Sequence, residues 1–313
     1  MPSSITHAYI AKDVYEILDK KIKNKINSRK LEDYKTYSEG PDIYYFYKML
    51  TPFTKKSYEV RTFGRSCHAE KTNEVLINLT NKVKETKDFD QFLYLIGLMT
   101  HYNADSTIHP YINYKASLMT KKFFENRDAH FLLETYLDNY MIKKREPGNY
   151  KKFKVYEFCF NVRKHSKVVD LLNQTFYEVF GIKDLGEYYF KGVKDMKNFF
   201  KYLRYDPIGY KKYIYKVLNI IAKRCFRDIR YLSYNFDLLE DDDYLNLNHE
   251  SWYNIDGFKD KLYNDSFIDL YLEVVNKTKE MVLELYDYIY EDRQVNLEKL
   301  YKNKSYGTGL TLK

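Results

Sequence analysis

Residues 97–114 read GLMTHYNADSTIHPYINY, and this stretch decides the fold. His101 and Asp105 stand four residues apart, behind the apolar run FLYLIGLM (Phe92–Met99), which is long enough for a buried helix. On a helix, side chains at i and i+4 leave one face with Cβ atoms about 5–6 Å apart. An imidazole and a carboxylate at that spacing can grip one metal ion. His109 follows four residues later. Pro110 behind it predicts the end of the helix, because proline removes a backbone donor and clashes with the preceding turn. A second pair of the same kind, His130 and Glu134, lies in DAHFLLETYLDNY (Asp128–Tyr140).

Burying an imidazole beside a carboxylate costs several kcal/mol unless hydrogen bonds or a metal compensate. One buried pair is an ordinary structural feature. Two of them, with His68, His109 and Asp42 nearby in sequence, predict a metal cluster. Nitrogen and oxygen donors without thiolates suit zinc, with positions left open for water and substrate. Cys67, beside His68, is set aside as a further ligand, since neighbouring helical side chains diverge by about 100°.

The surroundings are helical. The chain has 313 residues with only six prolines and eleven glycines, and is 44% hydrophobic and 31% charged. That composition predicts a globular all-α protein with a substantial core. Amphipathic spacing predicts helices over Thr6–Asn27, Cys67–Glu85, Asp90–Tyr102, Arg127–Met141, Ser166–Phe180, Leu185–Tyr205, Tyr210–Arg230 and Ser266–Lys302. Ser38–Leu50 reads as a turn entering a short helix, with Gly40-Pro41 placing Asp42 at its start, where an N-cap is the bland reading of the carboxylate. The stretch after Asn27 reads as a polar connection, Thr51–Ser66 as irregular, and Leu238–Asp243 as an acidic loop. No repeat or linker divides the chain. We therefore expect a single multi-helix domain: a metal-binding helical core over residues 1–145, a helical part over 146–305 packed on it, and a frayed tail over 306–313.

No apolar run reaches the roughly 18 residues of a membrane span. The start, MPSSITHAYIAKDVYEILDKKIKNK, has neither a basic lead nor an apolar signal core, which predicts a cytoplasmic protein. Three cysteines, Cys67, Cys159 and Cys225, show no CxxC spacing, which excludes a zinc ribbon and argues against a disulfide framework. The net charge of +8 is diffuse and carried mainly by lysine. Solvated helix faces explain it without a nucleic acid, although 35 tyrosines offer stacking surfaces if one is bound.

At this point the residues resemble the zinc-dependent phospholipase C family, which is similar in fold to the P1/S1-type single-strand nucleases. The family order is an N-terminal His, a GPD-type Asp, a His on the next helix, then HxxxD, His and HxxxE. All stand here: THAYIA (His7), SEGPD (Asp42), CHAEKT (His68), THYNADSTIHP (His101, Asp105, His109) and AHFLLE (His130, Glu134). The likeness is specific over residues 1–141. It continues more weakly in YLNLNHESW and NDSFIDLYLE, which look like an intracellular branch of the family.

The resemblance implies two or three zinc ions. Asp42, His68, His101 and Asp105 would hold the first, His109, His130 and Glu134 the second, and His7 with a bridging Asp105 the third. In secreted members a processed N-terminal tryptophan completes that third site. Here no Trp precedes His7, and Pro2, once Met1 is removed, would offer its amine from within the ~17 Å that five residues can span. The implied reaction is hydrolysis of a phosphodiester, with a phospholipid among the substrates. A zinc-bridging water would attack phosphorus, and Asp42 would orient or deprotonate it. A nuclease-like hydrolase and a metal-stabilised binding protein without turnover remain as alternatives. Trp252 and His249 either cover one end of the site or simply pack.

Overall fold

The computed structural model describes residues 4–51, 53–120, 126–146, 148, 150–225, 229–235 and 243–312. The protein is all-α. Fourteen α-helices stand among the described residues. The first half contains α1 (Ser4–Ile17), α2 (Lys20–Lys23), α3 (Ser28–Tyr37), α4 (Asp42–Phe46), α5 (Lys55–Ala69), α6 (Thr72–Thr86), α7 (Phe89–Thr120) and α8 (Asn126–Arg145). The second contains α9 (Val155–Phe158), α10 (Ser166–Phe180), α11 (Leu185–Phe199), α12 (Tyr210–Cys225), α13 (Phe267–Tyr290) and α14 (Leu297–Tyr301). Two short antiparallel strands, β1 (Trp252–Tyr253) and β2 (Leu262–Tyr263), are the only strand pair among the described residues.

The axis of the molecule is α7. Its residues 92–106 are buried without a break, and a helix buried on all sides belongs in the middle of a bundle. Helices α1, α3, α6, α8, α10 and α13 pack around it. One apolar cluster runs from Ile5 at one end of the chain to Tyr306 at the other.

Pro110 does not end this helix, contrary to expectation: α7 runs through it for another ten residues. The proline leaves the Ser106 carbonyl without its usual intrahelical partner. The chain returns there at Gly309 (φ +66°), so close that a side-chain carbon would collide with the Ser106 oxygen. The C-terminal segment thus covers the defect.

That segment is the second correction. The tail expected to fray is packed: Tyr306 is buried, its N–H donates to the His68 carbonyl (2.9 Å), and Asn113 and Asn254 hold the Gly307 and Thr308 carbonyls (2.9 and 2.8 Å). Two further helices stand where irregular chain was expected. The polar-looking α3 buries Tyr34 and Tyr37, with Tyr34 Oη 2.8 Å from Thr100 Oγ1 on α7. Helix α5 starts at a Thr54 cap, buries Val60, Phe63 and Cys67 at helical spacing, and ends at Ala69, so the expected Cys67–Glu85 helix is two helices. Lys71, at φ +54°, makes the break. The first and last expected helices are likewise divided, into α1 with α2 and into α13 with α14. Residues 238–242 of the acidic loop, and the N-terminal proline, lie outside the described residues.

Candidate metal centre

Five helices bring the named side chains together. His7 comes from α1, Asp42 from the start of α4, His68 from the last turn of α5, and His101, Asp105 and His109 from successive turns of α7. His130 and Glu134 project from α8, which packs along α7. Their donor atoms form three groups, each with all atoms within 4.8 Å of one another: His7 with His101 and Asp105, Asp42 with His68 and His101, and His109 with His130 and Glu134. The remaining histidines lie elsewhere. His165 pairs with Asp33 (3.2 Å) and the exposed His249 meets the Asn264 carbonyl (3.0 Å). Trp252 packs between Tyr111 and Tyr263.

The close approach depends on Gly40. It adopts φ +51°, and a Cβ there would stand 2.5 Å from His101 Cγ, so the turn before α4 can lie against the imidazole only without a side chain. Asp42 then begins α4 but caps nothing. Its Oδ1 stands 2.9 Å from His68 Nε2, so the N-cap reading of this carboxylate fails.

Three imidazoles are held through the same atom. His68 Nδ1 lies 2.6 Å from the Gly64 carbonyl, His101 Nδ1 3.1 Å from that of Ser38, and His109 Nδ1 2.8 Å from that of Tyr306. A carbonyl only accepts. Each Nδ1 therefore donates, and each neutral ring presents a lone pair at Nε2. Outer hydrogen bonds of this kind orient metal-binding histidines.

Those Nε2 atoms converge on carboxylates and on each other. His101 Nε2 is 3.2 Å from Asp105 Oδ2 and 3.5 Å from His68 Nε2; His7 Nε2 is 3.3 Å from Asp105 Oδ1; His130 Nε2 is 2.9 Å from Glu134 Oε1. Two ligands on a tetrahedral zinc, each bonded at about 2.0–2.1 Å, stand about 3.3 Å apart. Among the described residues, both carboxylate oxygens of Asp105, Oδ1 of Asp42, Nε2 of His109 and both ring nitrogens of His7 find no aligned hydrogen-bond partner. Buried lone pairs and carboxylates that face one another in this way call for a cation between them. The donor set fits zinc.

The electrostatics agree. Burial alone would raise the Asp105 carboxyl, but without a metal the positive charge of His101 and His109 in their protonated forms outweighs it and holds the group well below the usual carboxylate range, a part that a bound cation takes when the rings are neutral. Glu134 is depressed in the same way, its burial offset by His130 and His109 among its neighbours. Burial lowers His109, which keeps the ring neutral and able to bind a metal.

One acidic residue of the surroundings escaped the reading of the sequence. Glu39, in the SEGPD turn, is buried behind Asp42. Burial pushes its carboxyl well above the usual range, and the carboxylates of Asp42, Asp138 and Asp105 push the same way. Its only signal was its place in the turn. Asp138 accepts from the Thr6 N–H (3.1 Å) and from Tyr234 Oη (3.1 Å), which braces α1 beside His7. Cys67 faces the apolar core, its thiol pushed up by burial.

A family model described as zinc dependent phospholipase C matches residues 6–182, more than half of the chain. No curated protein and no solved structure matches it. The matched span contains all eight residues of the three groups.

Proposed function

Because the chain belongs to the zinc-dependent phospholipase C family, we propose that it hydrolyses a phosphodiester at this centre. The observation that supports the reading most is the shared orientation of His68, His101 and His109. Each is pinned at Nδ1 by a main-chain carbonyl, and their Nε2 atoms point at the carboxylates of Asp42, Asp105 and Glu134. A structural site would close with four ligands. Eight donors in three groups, two of which share His101, serve chemistry better than stability. In this reading the metal-binding core and the helices after it form one domain.

Asp42, His68, His101 and Asp105 would hold one ion, His109, His130 and Glu134 a second, and His7 with Asp105 a third. Bound there, zinc supplies positive charge to phosphate oxygens and lowers the pKa of water toward neutrality. The remaining work falls to the chain. Asp42 accepts the proton of the attacking water, placed for it by the Gly40-Pro41 turn. The new P–O bond forms in line with the bond to the leaving oxygen, which breaks, and the departing alkoxide takes up a proton from solvent to leave as the alcohol. The buried wall of His7, His101 and Asp105 excludes bulk water. Substrate enters on the side of His68 and His130, whose side chains are 11% and 22% exposed while those of His7, His101 and Asp105 are at 0%.

The test is a substrate panel on zinc-loaded protein: short-chain phosphatidylcholine, bis(p-nitrophenyl) phosphate and single-stranded DNA. We expect turnover of the first two and its loss on chelation. Turnover of DNA alone, with binding that weakens steeply in salt, would favour the nuclease-like reading. No turnover of any with zinc in place would leave a metal-stabilised binding protein.

A further inference from the structure

Helix α12 buries the wrong face for a helix of a bundle. Tyr215 and Asn219 tie it down: Tyr215 Oη donates to the Leu203 carbonyl (2.8 Å), and Asn219 Oδ1 accepts from the Ile229 N–H (2.9 Å). On its other side Tyr213, Val217, Ile220 and Ile221 are 66–70% exposed, and Ile214 and Leu218 nearly half exposed. At about 100° per residue these six side chains share one arc roughly 160° wide. Ile208, just before the helix, is 84% exposed. A contiguous apolar face of this extent marks an interaction site.

The charges name the partner. From Pro207 to Arg227 the sequence has no Asp or Glu but carries Lys211, Lys212, Lys216, Lys223, Arg224 and Arg227. Lys211 borders one edge of the apolar arc, its Nζ anchored on the Tyr202 and Tyr205 carbonyls (2.7 Å each). Lys212 and Lys216 border the other. An apolar stripe on a single exposed helix, flanked by lysines, is the pattern of helices that lie in the surface of a bilayer. A second copy of the chain would bring like charges together across the contact. We propose that α12 docks the protein on an anionic lipid surface, with the apolar arc among the acyl chains and Lys212 and Lys216 among the phosphates. This rests on α12 alone and not on the assignment of a substrate. No helix among the described residues is long and apolar enough to cross a membrane, so the attachment is peripheral. Arg204, just ahead of α12, donates to Thr135 Oγ1 (2.9 Å) beside Glu134, which ties the docking face to the helix that carries part of the metal centre.

The experiment is flotation of the full chain with vesicles of phosphatidylcholine, with and without phosphatidylglycerol. Binding is expected only with phosphatidylglycerol and should weaken with added salt. The doubly substituted V217E/I221E protein should lose binding by roughly tenfold or more, with unchanged circular dichroism and zinc content. K212E/K216E, which leaves the apolar arc intact, should weaken binding to the anionic vesicles. Failure of the wild type to float with either vesicle, or equal flotation of V217E/I221E, would overturn the proposal. So would a wild-type dimer that V217E/I221E dissolves, because the face would then be a contact between copies.

Discussion

His109 donates its Nδ1 hydrogen to the main-chain carbonyl of Tyr306, 197 positions further along the chain and 2.8 Å away. That bond fixes the tautomer of a ring whose Nε2 faces Glu134, and Tyr306 in turn donates its N–H to the carbonyl of His68. The C-terminal segment therefore orients two histidines of different groups. Removing residues 305–313 should weaken zinc binding by about 10–100-fold at the His109, His130 and Glu134 group, the usual effect of losing such an outer partner. Gly309→Val, which forces the same segment off Ser106, should act in the same direction. Zinc competition titration reads both; unchanged affinity in the two variants would show that the tail has no part in metal binding.

Much of this centre was legible because helix spacing is simple. His101, Asp105 and His109 at steps of four, and His130 with Glu134, point to one face by periodicity alone. What periodicity does not carry is the partner of each ring. The carbonyls of Ser38, Gly64 and Tyr306 are main-chain groups, and no residue type announces them. The helix α3 was hidden because its buried face is made of Tyr34, Tyr37, Asp33 and Thr36, polar by type. Pro110 misled for a related reason: the neighbour that makes it tolerable, Gly309, is distant in sequence. The tail was read as frayed because SYGTGLTLK has no helical pattern, although hydrogen bonds to side chains and to other main-chain groups hold it in place.

Asp42→Asn keeps the size of the side chain and one oxygen, but removes the proposed base. Zinc content should stay near that of the wild type while phosphodiester turnover falls by about 100-fold or more, the usual range for a lost general base. Turnover at wild-type rate would remove Asp42 from the proposed role.

Gly40→Ala places a methyl group on the ring of His101 at a positive φ. The strain should cost roughly 1–3 kcal/mol of stability and displace the imidazole. A lower melting temperature together with a loss of bound zinc is expected. A variant as stable and as zinc-rich as the wild type would contradict the close packing of this turn.

Lys277 on α13 offers a test away from the metals. Burial, with Lys304 and Lys302 adding to it, lowers its pKa to about 8 from the ordinary 10.5. The folded state thus releases this proton more readily than the unfolded chain, so stability should rise as pH climbs from about 8 to about 10.5 and be lowest below that window. Lys277→Met should gain roughly 1–3 kcal/mol at neutral pH, and the gain should shrink in alkaline buffer. Denaturant melts of both proteins at the two pH values measure the difference; a gain independent of pH would mean that packing, not charge, is at issue.

The most direct measurement is zinc per chain, by elemental analysis of protein purified without a metal-binding tag, alongside His101→Ala. His101 belongs to two of the three groups, so its loss should affect both. The account predicts two or three equivalents in the wild type and a clear reduction in the variant. Less than one equivalent, unchanged by the substitution and not restored by added zinc, would contradict it.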